Sequence, residues 1–122
     1  MDKFELSKTV IGAAFTVHNE LGYGFLESVY KKALCKELRL IGLKCECEKD
    51  IEVKYKDEIV GIFRADILVE NQLILELKSV LTLAPIHETQ LVNYLKATGI
   101  ERGLLINFGH SVEVKSKICS KK

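Results

Sequence analysis

The stretch EIVGIFRADILVENQLILELKSV, residues 58–80, predicts the centre of the fold. Residues 58–69 are rich in β-branched and aromatic side chains, and residues 73–80 form a second run suited to a strand. The three polar residues between them, 70–72, are typical of a turn. Two strands joined by so short a turn pair as antiparallel neighbours. The stretch therefore predicts a β-hairpin.

Two acids and a lysine share one face of this hairpin. With a three-residue loop, Val69 faces Leu73, and Asp66 therefore faces Glu76, because each step back on one strand matches a step forward on the other. Lys78 follows Glu76 by two residues and lies on the same face. Opposed carboxylates repel each other unless a cation lies between them, and Mg²⁺ binds one or two carboxylates together with waters and a substrate phosphate. We therefore predict a Mg²⁺ or Mn²⁺ site on Asp66 and Glu76, with Lys78 assisting the attacking water.

The alternative is that this spacing marks an ordinary solvated strand face. Against it, residues 67–69 are continuously apolar, and Leu73, Leu75 and Leu77 alternate with the residues on the other face of their strand. Both strands are therefore expected to be central and buried on at least one face. Charged side chains in a buried hairpin need a partner or a ligand.

Length and composition set the wider limits. The 122 residues predict one domain, 1–122, with a single core. No apolar run approaches the ~20 residues that span a bilayer, and the first residues contain no apolar leader, so we expect a cytoplasmic protein without a membrane segment. The net charge of +1 gives no global attraction to nucleic acid. Two local basic groups could still contact phosphates: Lys32, Lys36 and Arg39 on a predicted helix, and Lys115, Lys117, Lys121 and Lys122 near the C-terminus. The oligomeric state stays open, a homodimer included.

The four cysteines do not have the spacing of a metal cluster. Cys35, Cys45, Cys47 and Cys119 contain no C-x-x-C pair. If they lay on an alternating strand, Cys45 and Cys47 would present both sulfur atoms on one face, without the turn that usually wraps a tetrahedral ion. We expect reduced, structural thiols.

The order of the remaining elements follows from periodicity and from helix-stopping glycines. Helices are predicted at 4–21, 25–41 and 85–98, and strands at 51–55, in the hairpin, at 103–108 and, as a strand or turn, at 112–118. This order, α, α, β, β, β, α, β, predicts an α/β or α+β fold in which helices flank a sheet.

Four further residues are candidates for the same site. Glu27 lies in the first turn of the second helix, where the helix dipole alone favours an acid, and it could also reach the hairpin acids as an outer metal ligand. Gln90 and Tyr94 are one turn apart on the third helix, so their amide and hydroxyl could both reach a phosphate or a metal-bound water. His18, at the border of the first helix's apolar stripe, is either a structural histidine or a metal ligand.

Several motifs in this order resemble the GxxExxY protein family. Its signature matches residues 24–30, Gly-Phe-Leu-Glu-Ser-Val-Tyr. Further matching blocks are His18 with Leu21-Gly22, Arg64-Ala65-Asp66, Glu76-Leu77-Lys78, His87-x-x-Gln90, Tyr94-Leu95-Lys96 and Gly103-Leu104-Leu105-Ile106-Asn107-Phe108. The family is similar to the PD-(D/E)XK nuclease superfamily, which implies a restriction-endonuclease-like αβββαβ core with a central mixed sheet.

The resemblance also implies roles for these residues. Glu27 corresponds to the helix-borne acid, Asp66 to the central metal ligand, and Glu76 with Lys78 to the E-x-K pair. Ala65 stands where the superfamily's name has proline. Gln90 and Tyr94 resemble the Q-x-x-x-Y motif of RecB-type exonucleases, in which an upstream histidine can bind metal, and His18 is the candidate for it here.

We therefore expect a Mg²⁺- or Mn²⁺-dependent phosphodiesterase that acts on DNA. Its rival is a non-catalytic nucleic-acid-binding or protein-interaction module on the same fold. A small structural protein with a buried ionic network is the third hypothesis, which stability alone explains weakly. The sequence does not distinguish DNA from RNA as the substrate, nor endonuclease from exonuclease action.

Overall fold

Five strands and three helices make up the computed structural model, which describes residues 1–120. In chain order they are α1 (Lys3–Leu21), α2 (Glu27–Leu40), β1 (Cys45–Tyr55), β2 (Glu58–Val69), β3 (Leu73–Lys78), α3 (Pro85–Thr98), β4 (Arg102–Phe108) and β5 (Val112–Ile118). The strands form one sheet in the order β1-β2-β3-β4-β5. β3 and β4 are parallel, and the other neighbours are antiparallel. The predicted α/β fold with a central mixed sheet is confirmed.

The predicted hairpin has the predicted register. Val69 pairs with Leu73, and the pairing continues to Ile67 opposite Leu75. There the backbone ladder stops. At the next position the backbone N–H of Leu77 donates to the Asp66 side chain, at 2.8 Å to Oδ2. The strands therefore separate where the two acids lie, which leaves room for groups from the neighbouring helices.

The sheet is covered on both faces. Leu73, Leu75 and Leu77 of β3 belong to the core beneath α1 and α2, whereas Ile74 belongs to the core beneath α3. β4 is buried along nearly its whole length because both of its faces are covered. The strand alternation puts Glu76 on the α3 side, two residues from Ile74.

The crossover helix α3 has strong boundary signals and lies close to the sheet. Pro85 is its first residue, and Gly99 ends it in the left-handed conformation, with φ 75°. A Cβ atom on Gly103 of β4 would lie only 2.8 Å from Cδ1 of Leu91. Glycine at that position therefore lets α3 pack against β4.

Two expectations need correction. β1 begins at Cys45, six residues before the predicted Ile51, since charged side chains of this edge strand obscure the strand pattern. Cys35 of α2 and Cys47 of β1 form a disulfide, so the expectation of reduced thiols is wrong for this pair. The cause is tertiary: α2 packs on β1 and covers the face that carries both strand cysteines. Cys45 and Cys119 have free thiols.

The basic groups are only partly available to a ligand. Within residues 1–120, Lys117 Nζ lies 2.6 Å from Glu88 Oε1, and Lys115 Nζ lies 3.8 Å from Glu113 Oε2. These ion pairs offset part of the predicted C-terminal basic group. Its other members, at 121 and 122, lie outside the described residues. No helix in the described part of the chain is long and apolar enough to cross a membrane.

Candidate active site

Asp66 of β2 is held in a fixed orientation at the point where β2 leaves β3. Its Oδ2 accepts the Leu77 backbone N–H at 2.8 Å, and its Oδ1 accepts a hydrogen bond from Lys31 Nζ of α2 at 3.4 Å. Only 14% of the Asp66 side chain is exposed. The contacts from a strand amide and a helix lysine thus aim this carboxylate into the gap between the strands.

Glu76 is the unusual group of the site. Its Oε1 is buried and has no hydrogen-bond partner within residues 1–120. Burial, and next the negative charge of Asp66, raise the pKa of Glu76 from 4.5 to about 8. Glu76 is therefore mostly protonated at neutral pH in the protein alone. A buried carboxylate oxygen without a partner costs free energy, so it calls for a ligand.

The pair fits a divalent cation. Magnesium binds through one or two carboxylates and completes its shell with water and phosphate, and Asp66 with Glu76 supplies two such groups. No group of three or more histidine, cysteine or acidic side chains within residues 1–120 is placed to hold a metal ion. The site can therefore supply part of a metal's ligands, and the rest must come from water and substrate.

Glu27 and Lys78 share this electrostatic environment. The pKa of Glu27 is raised by burial and then by the charge of Asp66, while the positive charge of Lys78 opposes that rise. Lys78 also lowers the pKa of Glu76. The structure thus brings together the four residues predicted from the hairpin and from the start of α2.

A sequence comparison decides the family. A family model described as PD-(D/E)XK nuclease superfamily matches residues 4–119 of this chain. The chain belongs to the PD-(D/E)XK nuclease superfamily. Divalent metals are typical of nucleases in this superfamily.

A solved structure, "Crystal structure of SSO0001", resembles this PD-(D/E)XK chain with a TM-score of 0.55 and 18% sequence identity. The match covers 79% of this chain and 52% of that one, so this chain spans about half the length of the protein it resembles. At such identity the likeness concerns the fold alone. No curated protein matches the sequence significantly.

Of the two α3 candidates in this PD-(D/E)XK chain, Tyr94 lies near the acids. The pKa of Tyr94 is raised by burial, then by the charges of Glu76 and Asp66, so its hydroxyl lies near both carboxylates. Its ring stacks on Phe63 of β2, with centroids 3.9 Å apart. Gln90, one turn earlier on α3, is exposed and can meet an incoming ligand.

His18 lies apart from the two carboxylates. Its Nε2 donates to the Gly109 carbonyl oxygen at 2.8 Å, and its ring stacks on Phe108. No contact in the described part of the chain joins it to Asp66 or Glu76. This bonding supports the structural alternative for His18 rather than the metal ligand.

Sequence reasoning missed Lys31. Besides Asp66, its Nζ contacts Glu48 Oε1 of β1 at 3.4 Å, and only 16% of its side chain is exposed. Lys31 lies one helical turn after Glu27, so the two face the same side of α2. The four-residue spacing between Glu27 and Lys31 was the sequence signal that could have placed Lys31 at the site.

Proposed function

We propose that this chain is a Mg²⁺- or Mn²⁺-dependent phosphodiesterase that cleaves DNA. Within the superfamily we assign it to the GxxExxY family, with RecB-like features at Gln90 and Tyr94, as a single domain of residues 1–122. The observation that carries the proposal is the buried Oε1 of Glu76, which has no hydrogen-bond partner among residues 1–120, beside the oriented carboxylate of Asp66. Metal binding by a nuclease at this pair would explain why both carboxyl groups lie together in a buried site.

The chain's residues would divide the work. Asp66 and Glu76 would hold the cation, which when bound polarises a phosphate oxygen and lowers the pKa of water. Glu27 would complete or relay the ligand shell. The positive charge of Lys78 acts on both Glu27 and Glu76. Lys78 would orient the attacking water and offset charge that grows on the phosphate.

Glu76 must lose its proton before it can bind a cation. The raised pKa means that the site binds metal by exchanging a proton for the ion.

Tyr94 and Gln90 would orient the substrate from α3. His18 stays a prediction as a metal ligand, and its bond to Gly109 gives it little freedom to move toward the acids.

One observation favours the rival, a non-catalytic nucleic-acid-binding or protein-interaction module. Lys31 already offsets the charge of Asp66 without any metal. A module that had lost catalysis could keep this ion pair for stability. The Glu76 oxygen, which no group of the described residues satisfies, has no such explanation, so we rank the nuclease first.

Cleavage assays test the proposal. We expect Mn²⁺-dependent cleavage of DNA by the parent protein, and a loss of at least about 100-fold in Asp66→Asn and Glu76→Gln, because both changes keep volume and remove a charged ligand. Lys78→Ala should lose turnover yet keep metal binding. Glu52→Gln, a change at an exposed glutamate of β1, is the matched control and should behave as the parent.

Substrates should include single-stranded, duplex and branched DNA, with RNA for comparison. Absence of cleavage by the parent on all of them, with any divalent metal, would refute the enzyme and leave the binding module. Equal activity in Asp66→Asn and in the parent would refute the assigned site.

A further inference from the structure

A groove of about 440 Å³ lies directly beside the carboxylate site. One wall is the loop that leads into α2, residues 23–27, and the other is the segment that follows β3, residues 79–81. Glu27 belongs both to this groove and to the acidic site. Lys78 immediately precedes the second wall. The groove therefore continues the site in which we place the scissile phosphate.

The groove is lined by apolar side chains that face solvent. Tyr23 is 52% exposed, Phe25 44% and Leu81 71%. Large apolar side chains clustered at the surface around a concave site are typical of ligand contact. Among residues 1–120, Glu27 is the single charged residue of the lining. Such a lining suits an uncharged, flat group and does not suit a phosphate.

The first wall is held rigidly. The hydroxyl of Tyr30 donates to the Gly22 carbonyl at 2.6 Å and accepts the backbone N–H of Phe25 at 3.2 Å. Ser79 Oγ of the opposite wall donates to the Phe25 carbonyl at 2.8 Å. Gly24 lies between these anchors with φ 106°, a conformation that favours glycine. The loop thus presents its aromatic side chains in a fixed position.

The second wall is equally fixed. The side-chain amide of Asn107 accepts the Val80 N–H at 2.9 Å and donates to the Val80 carbonyl at 2.8 Å. Asn107 is itself buried within β4. On the first wall, the ring of Tyr23 stacks on His110, with ring centroids 4.0 Å apart, so this ring is also held in place. The groove is preformed, which reduces the ordering cost of binding.

We propose that this groove binds an unpaired nucleobase next to the phosphate at the carboxylate site, so that the substrate class is single-stranded DNA or the single-stranded part of a branched molecule. The inference rests on the proposed function. An unpaired base offers a flat π face that stacks on aromatic side chains whatever its sequence. The bases of a duplex are stacked inside the helix and cannot enter a groove of this kind without being unpaired.

Binding by fluorescence anisotropy tests the groove separately from catalysis. The protein is the Lys78→Ala variant with Mg²⁺, and the probes are a labelled single-stranded oligodeoxynucleotide and the duplex of the same sequence. We expect the single strand to bind at least about tenfold more tightly than the duplex. Adding Tyr23→Ala should weaken single-strand binding by about 5-fold to 150-fold, the range for one base stacked on an aromatic ring, and Leu81→Ala should also weaken it. Tyr55→Ala, at an exposed tyrosine in the β1–β2 hairpin, is the matched control and should change nothing.

The outcomes separate the two proposals. Cleavage by the parent with unchanged single-strand affinity in Tyr23→Ala would overturn the groove assignment and leave the nuclease intact. Groove-dependent binding without cleavage by the parent would support the groove and overturn the enzyme. Concentration-dependent dimerisation that Tyr23→Ala abolishes, with no loss of single-strand affinity, would assign the groove to a second copy of the chain and overturn the inference.

Discussion

Replacing Glu76 with glutamine should stabilise the metal-free protein, and increasingly so as the pH rises. In the folded parent the pKa of Glu76 is about 8, against 4.5 for an ordinary glutamate, because the group is buried beside Asp66. Between these two pH values the folded state holds a proton that the unfolded state has released. The free energy of unfolding therefore falls as the pH rises through this window and stops falling above about pH 8.

The size of the effect follows from the proton count. One proton held only by the folded state changes the free energy of unfolding by about 1.4 kcal/mol per pH unit. From pH 5.5 to 7.5 the parent should thus lose roughly 2–3 kcal/mol relative to Glu76→Gln. The glutamine cannot ionise, so its side chain adds no such pH dependence to the free energy of unfolding.

Urea denaturation at a series of pH values in the presence of a chelator measures this difference. Subtracting the two curves removes the contribution of the three histidines, which both proteins share. Glu52→Gln serves as the control and should give a curve parallel to the parent's. A parent-minus-variant difference that does not change with pH would refute the buried, proton-holding Glu76.

Three other outcomes follow from the structure. Lys31→Met should destabilise the metal-free protein by roughly 2 kcal/mol in denaturation experiments, because it leaves Asp66 without its ion-pair partner. In a metal titration the same variant should need less metal for half-maximal activity, since the Lys31 ammonium no longer competes with the metal for Asp66. Tyr30→Phe should lower stability by about 1–3 kcal/mol in thermal melts, as the buried hydroxyl anchors the loop before α2, and unchanged stability would contradict that anchoring. A thiol reagent applied to the unfolded, unreduced protein should find two free thiols and, after reduction, four; four at the outset would contradict the Cys35–Cys47 disulfide.

Local patterns predicted much of this fold. The apolar runs and the three-residue turn predicted the hairpin and its Val69–Leu73 register, which the structure confirms. Pro85 and Gly99 predicted the bounds of α3, because each acts on the backbone at its own position. The same register predicted Asp66 opposite Glu76, but the observed ladder ends one pair earlier, at Ile67 opposite Leu75.

Contacts between distant parts of the chain could not be predicted in this way. The Lys31–Asp66 contact joins residues 35 apart in sequence and depends on how α2 docks beside β2. The Cys35–Cys47 disulfide likewise requires that α2 cover β1. His18 donates to Gly109, 91 residues away, and no spacing rule connects the two. Such contacts arise from packing, which periodicity does not encode.

Proton release on metal binding is the most direct test of the Asp66–Glu76 pair. Titration calorimetry with Mn²⁺ at pH 6.5, in two buffers of different ionisation enthalpy, measures how many protons leave when the ion binds. With Glu76 protonated beforehand, the parent should release about one proton per ion, and Glu76→Gln should release almost none while binding far more weakly. Mn²⁺ binding without proton release, or equal binding by the parent and Glu76→Gln, would contradict a metal site built on this pair.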